Sequence, residues 1–147
     1  MNENYELLEH IYQDSEMACF TLEQLLEDLK EKDNKIKGIL EDILKEYQSW
    51  KKDSLEKLEE NHQEIKEKGA MSKMMAGMGI KKEVKEDNSD ASIADMLIQG
   101  ISMGSLDTEK KMKAYDKDKD MDKDQLTLAK KFLKFQEKTI DKLKKYL

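Results

Sequence analysis

Residues 8–29 read LEHIYQDSEMACFTLEQLLEDL, and apolar or small side chains recur in this stretch at alternating steps of three and four residues. The repeating positions are Leu8, Ile11, Ser15, Ala18, Leu22, Leu25 and Leu29. Such steps keep side chains on one face of an α-helix, because a turn takes about 3.6 residues. The stretch therefore predicts an amphipathic helix, over about residues 3–30, that packs in a helical bundle.

Three further segments, at about residues 35–68, 90–115 and 123–147, carry the same pattern. The polar turn at residues 31–34 is short, so the first two helices should form an antiparallel hairpin. We expect a single all-α domain, an antiparallel up-and-down four-helix bundle. Residues 69–89 should form a linker that contains a Met-rich segment crossing between the second and third helices.

The composition agrees with an all-α fold. The chain of 147 residues has no Pro, 41% charged residues and 6% aromatic residues. Long helices tolerate this composition, whereas sheets need more β-branched and aromatic side chains.

The charge of the chain argues against nucleic acid as a partner. The net charge is −6, and all 27 basic residues are Lys. Arg supplies the planar fork that grips phosphate and reads base edges, and the chain has none. Acidic residues concentrate in residues 1–30 and lysines in residues 130–147. We therefore expect the first and last helices to attract each other as neighbours.

Several features predict a cytoplasmic protein. The opening MNENYELLEH is acidic and lacks the apolar region of a secretory signal. No run approaches the roughly 20 apolar residues of a membrane-spanning helix, so we expect no transmembrane segment. Cys19 is the one cysteine, which excludes an internal disulfide and suits a reducing compartment.

The Met-rich segment is GAMSKMMAGMGI, residues 69–80. Its methionines at Met71, Met74, Met75 and Met78 have the spacing of one helical face. Gly77 and Gly79 predict that the helix is short. We expect this face to cross one end of the bundle and seal it. The alternatives are contact with a protein partner or a second copy, and insertion into a membrane surface.

Gly100 and Gly104 lie inside the third predicted helix, where each glycine costs about 1 kcal/mol relative to Ala. The spacing predicts close packing of another backbone against this ridge. The alternative is a ligand cavity oriented by the polar neighbours Gln99 and Ser102.

The order of motifs also resembles a family. The motifs are EMACFTLEQLL (16–26), EYQSW (46–50), MSKMMAGMGI (71–80), IADMLIQGISMG (93–104) and FLKFQEKTIDKLKKYL (132–147). They resemble small uncharacterised bacterial proteins regarded as ferritin-like four-helix bundles. The resemblance implies the bundle fold and no particular activity.

Ferritin-like di-iron proteins place a Glu on each of two helices and Glu-x-x-His on each of the other two. This chain has two His, and Glu59-x-x-His62 has the spacing but lies near the end of the second predicted helix. We expect His62 to be a partly buried histidine in line with Leu58. An alternative site for iron or manganese would use carboxylates alone, from Glu16, Glu46, Asp107 and Glu137.

No nucleophile, acid–base pair or phosphate loop can be assembled from these residues at workable spacing. The sequence therefore predicts a non-enzymatic protein that binds an unknown protein partner or a second copy. Its Met segment and the ridge at Gly100 and Gly104 would make the contact. The alternative is a ferritin-like protein that binds iron or manganese.

Overall fold

The computed structural model describes residues 4–65, 70–117 and 122–147, and for residues 70–74 it describes the backbone alone. All regular structure in this part of the chain is helical, which confirms the all-α prediction. The helices are α1 (Glu6–Asp28), α2 (Lys37–Glu60), α3 (Ala70–Glu86), α4 (Asp90–Asp116) and α5 (Lys123–Lys144). Helix α3 occupies most of the stretch for which the sequence predicts a linker. Among these helices none combines the length and the apolar character needed to cross a bilayer.

The second helix ends eight residues earlier than predicted, at Glu60 rather than residue 68. The backbone amide of Gln63 donates to the carbonyl oxygen of Leu58, and that of His62 donates to Glu59. This pair of bonds closes the helix as a Schellman motif, with His62 in the left-handed region at φ 57°. His62 is exposed, so the prediction of a partly buried His aligned with Leu58 was wrong.

The ends of the helices show the direction in which each one runs. Asn34 Nδ2, in the turn between α1 and α2, donates to Asp90 Oδ1 at 2.9 Å, so α4 begins beside the start of α2. At the other end, Tyr115 Oη donates to the Asn4 carbonyl at 3.2 Å, and Tyr5 Oη donates to Asn61 Oδ1 at 3.1 Å. Helices α2 and α4 are therefore parallel, and the predicted up-and-down order was wrong.

Helix α3 explains this reversal, because it carries the chain back from the end of α2 to the start of α4. It lies lengthwise on α1: a Cβ at Gly77 would lie 3.5 Å from the Phe20 ring. Further along, Met78 and Lys85 share a surface groove with Asp28. Helix α3 thus runs parallel to α1, and the prediction that it crosses one end of the bundle was wrong.

Among the described residues of α3, Gly77, Ile80 and Val84 are buried. Met75 and Met78 are 65% and 64% exposed, so these two side chains seal nothing. The side chains of Met71 and Met74 lie outside the described residues. Packing on α1 offsets the cost of Gly77 and Gly79, which is how the helix continues through both.

The core is built around α1, which packs against each of the other four helices. Full burial of an aliphatic side chain contributes about 1.5–3 kcal/mol, so the α1 stripe is a major source of stability. The fully buried core residues of α1, its C-cap and α2 include Leu7, Ile11, Leu22, Leu25, Leu29, Leu40 and Ile43. Tyr47 and Trp50 of α2 pack edge-on against Phe135 and Phe132 of α5, with ring centroids 4.8 and 5.1 Å apart.

The left-handed backbone at His62 allows a stability test. Glycine adopts positive φ without the Cβ clash that other residues suffer, so His62→Gly should raise the free energy of unfolding by about 1 kcal/mol. Urea denaturation followed by circular dichroism would measure the change. Gln63→Gly, at a neighbouring residue without positive φ, is the matched control and should not stabilise. A His62→Gly midpoint at or below that of the parent would contradict the C-cap assignment.

Candidate functional site

A groove of about 390 Å³ opens between α3 and α4, with α1 as its floor. We call it the α3–α4 groove. Its apolar lining comes from Met17, Ala18, Leu22, Ala76, Ile80, Met96, Leu97, Ile101 and Met103. Tyr47 of α2 contributes at the bottom, and Asp14 and Asp107 contribute carboxylates. The groove is thus an apolar surface on the outside of the helical core, with acidic groups in its lining.

The two glycines of α4 have different surroundings in this groove. A Cβ at Gly100 would have no heavy atom within 4 Å, so this position faces open space. A Cβ at Gly104 would lie 2.8 Å from Asp14 Oδ2 and 3.1 Å from Gln136 Nε2. Gly104 is thus closely packed, but against side chains of α1 and α5 rather than against a backbone. Gly100 lines the groove, but Gln99 and Ser102, which would orient a ligand in the alternative prediction, do not line it.

A buried polar network holds Asp14 in place. Gln136 Nε2 donates to Asp14 Oδ2 at 2.8 Å, and Thr108 Oγ1 lies 3.0 Å from Gln136 Oε1. His10 Nε2 lies 2.7 Å from the same Thr108 hydroxyl. Gln136 and Thr108 are buried, where an unmade hydrogen bond is costly, so this network specifies how α1, α4 and α5 pack.

Tyr47 adjoins this network from α2. Burial raises the pKa of Tyr47 far above its ordinary value, and the nearby Asp14 carboxylate raises it further. A hydrogen bond with Gln136 acts in the opposite direction but is the weaker influence on this pKa. The phenol therefore stays protonated at neutral pH and serves as a fixed polar group at the bottom of the groove.

The residues of this network were not predicted from the sequence. Thr108 and Gln136 occupy inward positions in otherwise apolar stripes. A polar residue at such a position is the sequence pattern that could have indicated a buried hydrogen-bond network. The pairing of Gln136 with Asp14 spans 122 residues, so no local spacing could predict it.

The two glycines should respond to the same substitution with opposite signs. Gly100→Ala should raise the free energy of unfolding by up to about 1 kcal/mol, because alanine favours the helix and meets nothing. Gly104→Ala should lower it by about 1 kcal/mol, because a displaced charged hydrogen bond costs about 1.5–3 kcal/mol and outweighs the helix preference. Urea denaturation of both variants would check this, and stabilisation by Gly104→Ala would contradict the packing described here.

The candidate metal ligands are spread over the structure. Glu16 is buried on α1, whereas Glu46, Glu59, Asp107 and Glu137 are exposed on three other helices. His62 lies in the turn after α2. Within the described ranges, no three His, Cys, Asp or Glu side chains are grouped as a metal site requires. Iron or manganese binding stays a prediction that no geometry in this part of the chain supports.

Cys19 is a buried packing residue of α1, 3% exposed. Burial raises the pKa of its thiol to about 11, and the acidic Glu23 and Glu16 act in the same direction against Lys51. The nucleophilic thiolate is therefore scarce at neutral pH.

This burial predicts slow thiol chemistry in the native state. At pH 7.5 an aromatic disulfide reagent should react with Cys19 about a hundredfold or more slower than in denaturant, where the pKa returns to about 8.5. Release of the coloured thiol measures both rates. Equal rates in native buffer and in guanidinium would show that Cys19 is accessible.

No protein-family model, curated protein or solved structure matches this chain. The resemblance to small ferritin-like proteins therefore stays a prediction from the sequence motifs.

Proposed function

We propose that this is a non-enzymatic binding protein whose α3–α4 groove receives the apolar face of an amphipathic helix from a protein partner. The observation that carries the proposal is the groove itself, which is apolar, open and unfilled beside Gly100. Exposed apolar surface often marks an interaction site, so this groove is a candidate interaction surface.

The dimensions of the groove suit a helix. Its α4 wall extends from Met96 to Asp107, which is about 16 Å or three helical turns. A helix that lies in a groove inserts side chains at intervals of three and four residues, and this length accommodates several of them. Met17, Met96 and Met103 are flexible and polarisable, so the lining can adapt to such side chains.

An exposed apolar side chain belongs to the lining itself. Met103 lines the groove and is 70% exposed. A docked helix would remove Met103 from water at a gain of about 25 cal/mol per Å² of apolar surface.

The charge of the lining indicates the character of the partner. The described residues that line the groove include Asp14 and Asp107 but no lysine, although the chain has 27 basic residues. Asp107 is exposed. A partner helix with basic residues beside its apolar face is therefore complementary in charge.

We also propose that α1, α2, α4 and α5 form a ferritin-like four-helix bundle with α3 as its crossover. The parallel course of α2 and α4, joined by one long connection, supports this proposal. A cytoplasmic location is consistent with the single buried thiol of Cys19.

A peptide titration tests the groove. The protein would carry ¹³C-labelled methionine methyl groups, and the probe would be a synthetic basic amphipathic helix of about 14 Leu and Lys residues, roughly 20 Å long. The methyl signals of Met17, Met96 and Met103 should shift, whereas that of Met112, which does not line the groove, should not.

Gly100→Leu fills the groove and should weaken peptide binding about tenfold or more, which corresponds to about 1.4 kcal/mol. Gly38→Leu is the matched control, since a side chain there also meets open space but lies on α2 away from the groove. Equal peptide affinity in both variants would refute the groove as the binding surface. A doubled mass in solution that Gly100→Leu abolishes would instead identify a second copy as the occupant.

A further inference from the structure

A second groove, between α5 and α2, is lined by lysines. Lys131, Lys134, Lys138 and Lys142 follow one another along α5 at steps of three and four residues, and their groove has a volume of about 320 Å³. Glu46 of α2 stands on the opposite side. We call this surface the lysine groove. It is separate from the α3–α4 groove and shares no lining residue with it.

The positive charge of the lysine groove is poorly neutralised. Lys142 Nζ lies 4.0 Å from Glu46 Oε1, which is a long contact between exposed groups. In the part of the chain that the structure describes, Lys131, Lys134 and Lys138 form no ion pair. Like charges three and four residues apart on a helix repel one another. A bound anion would remove this repulsion.

The acidic first helix does not provide that anion. The sequence predicts attraction between the first and last helices, and α1 does contact α5. At one contact between them, the neutral amide of Gln136 on α5 donates to Asp14 on α1 at 2.8 Å. The lysine groove therefore remains basic on a chain whose net charge is −6.

The floor of the lysine groove offers a ligand few hydrogen-bond donors. Phe135 is half-buried against Tyr47 and Trp50. The Thr139 hydroxyl donates to the Phe135 carbonyl oxygen at 2.8 Å, so its proton is already engaged. The ammonium groups are thus the donors that a ligand would meet, and they act as point charges rather than as the planar fork of Arg.

The length and volume of the lysine groove indicate which kind of anion it can bind. The four lysines span about 16 Å of α5, with about 4.5–6 Å between successive positions, so they match a chain of charges rather than a single ion. A volume of about 320 Å³ is at the small end of ligand pockets, which suits a small ligand.

We infer that the lysine groove binds a small oligophosphate, the chemistry shared by inorganic tripolyphosphate and the phosphate tail of a nucleoside triphosphate. This inference is independent of the function proposed for the α3–α4 groove.

Calorimetric titration with tripolyphosphate at fixed ionic strength tests the inference, with ATP and orthophosphate as comparison ligands. Tripolyphosphate should bind more tightly than orthophosphate, because it contacts several lysines at once. ATP binding of equal strength would identify the phosphate chain alone as the recognised group, and tighter ATP binding would show that the nucleoside also contacts the groove.

Three variants locate the site. The pair Lys134→Gln and Lys138→Gln should weaken tripolyphosphate binding about tenfold or more, since two of four charge contacts are lost. The pair Lys110→Gln and Lys111→Gln removes the same charge from exposed positions on α4 and should have little effect. Glu46→Gln removes the opposing carboxylate and should strengthen binding, a gain that a damaged fold cannot produce.

Equal weakening by both lysine pairs would show that net charge alone attracts the anion and would overturn the inference. No gain from Glu46→Gln would equally count against this groove. Binding to anionic vesicles or single-stranded DNA that is tighter than binding to tripolyphosphate, and is lost with Lys134 and Lys138, would assign the surface to a different class of ligand.

Discussion

Burial of the apolar stripe on α1 is the interaction on which the remainder of the structure depends. Helix α1 contacts all four other helices, and its Leu7, Leu22, Leu25 and Ile11 are almost completely removed from water. A helix that is apolar on one stripe normally needs neighbours on one side only. Here the stripe is widened by Leu7, Tyr12 and Phe20, so α2, α4 and α5 cover one side while α3 covers another. The position of α3 on α1 then sets one wall of the α3–α4 groove.

Polar groups inside the core determine how the two hairpins meet. Gln136, Thr108, His10 and Asp14 join α5, α4 and α1, and Tyr47 joins them from α2. Because buried polar groups tolerate few alternative arrangements, this network fixes the relative rotation and height of the helices more strictly than apolar packing does. Gly104 is required for it, since a Cβ at that position would meet the Asp14 carboxylate. The hydrogen bond from Gln136 holds that carboxylate at the groove.

The distribution of charge separates two surfaces of opposite character. The α3–α4 groove is apolar with aspartates in its lining, and the lysine groove is basic with one glutamate. They share no lining residue, and the one ion pair found in the lysine groove among the described residues is the long contact of Lys142 with Glu46. Such a molecule can present unlike surfaces to unlike partners while its four long helices supply a rigid frame.

The sequence by itself determined that the chain is all-α, and it located four helices to within a few residues at most ends. Those conclusions depend on periodic patterning, which acts over a few turns. In the structure, the side chains of Ser89 and Asp122 cap the starts of α4 and α5. The end of α2 at Glu60 was not predicted, because His62 takes the left-handed conformation after the helix, which a non-glycine residue rarely does.

Only the tertiary structure decided the rest. Whether α3 seals an end or lies along α1 depends on where the free apolar surface of α1 is, and that surface exists only after the helices have assembled. The different roles of Gly100 and Gly104, which share one motif, depend on which side chain of a distant helix faces each of them. Both grooves combine residues from separate helices, so their position and charge follow from three-dimensional packing rather than from spacing along the chain.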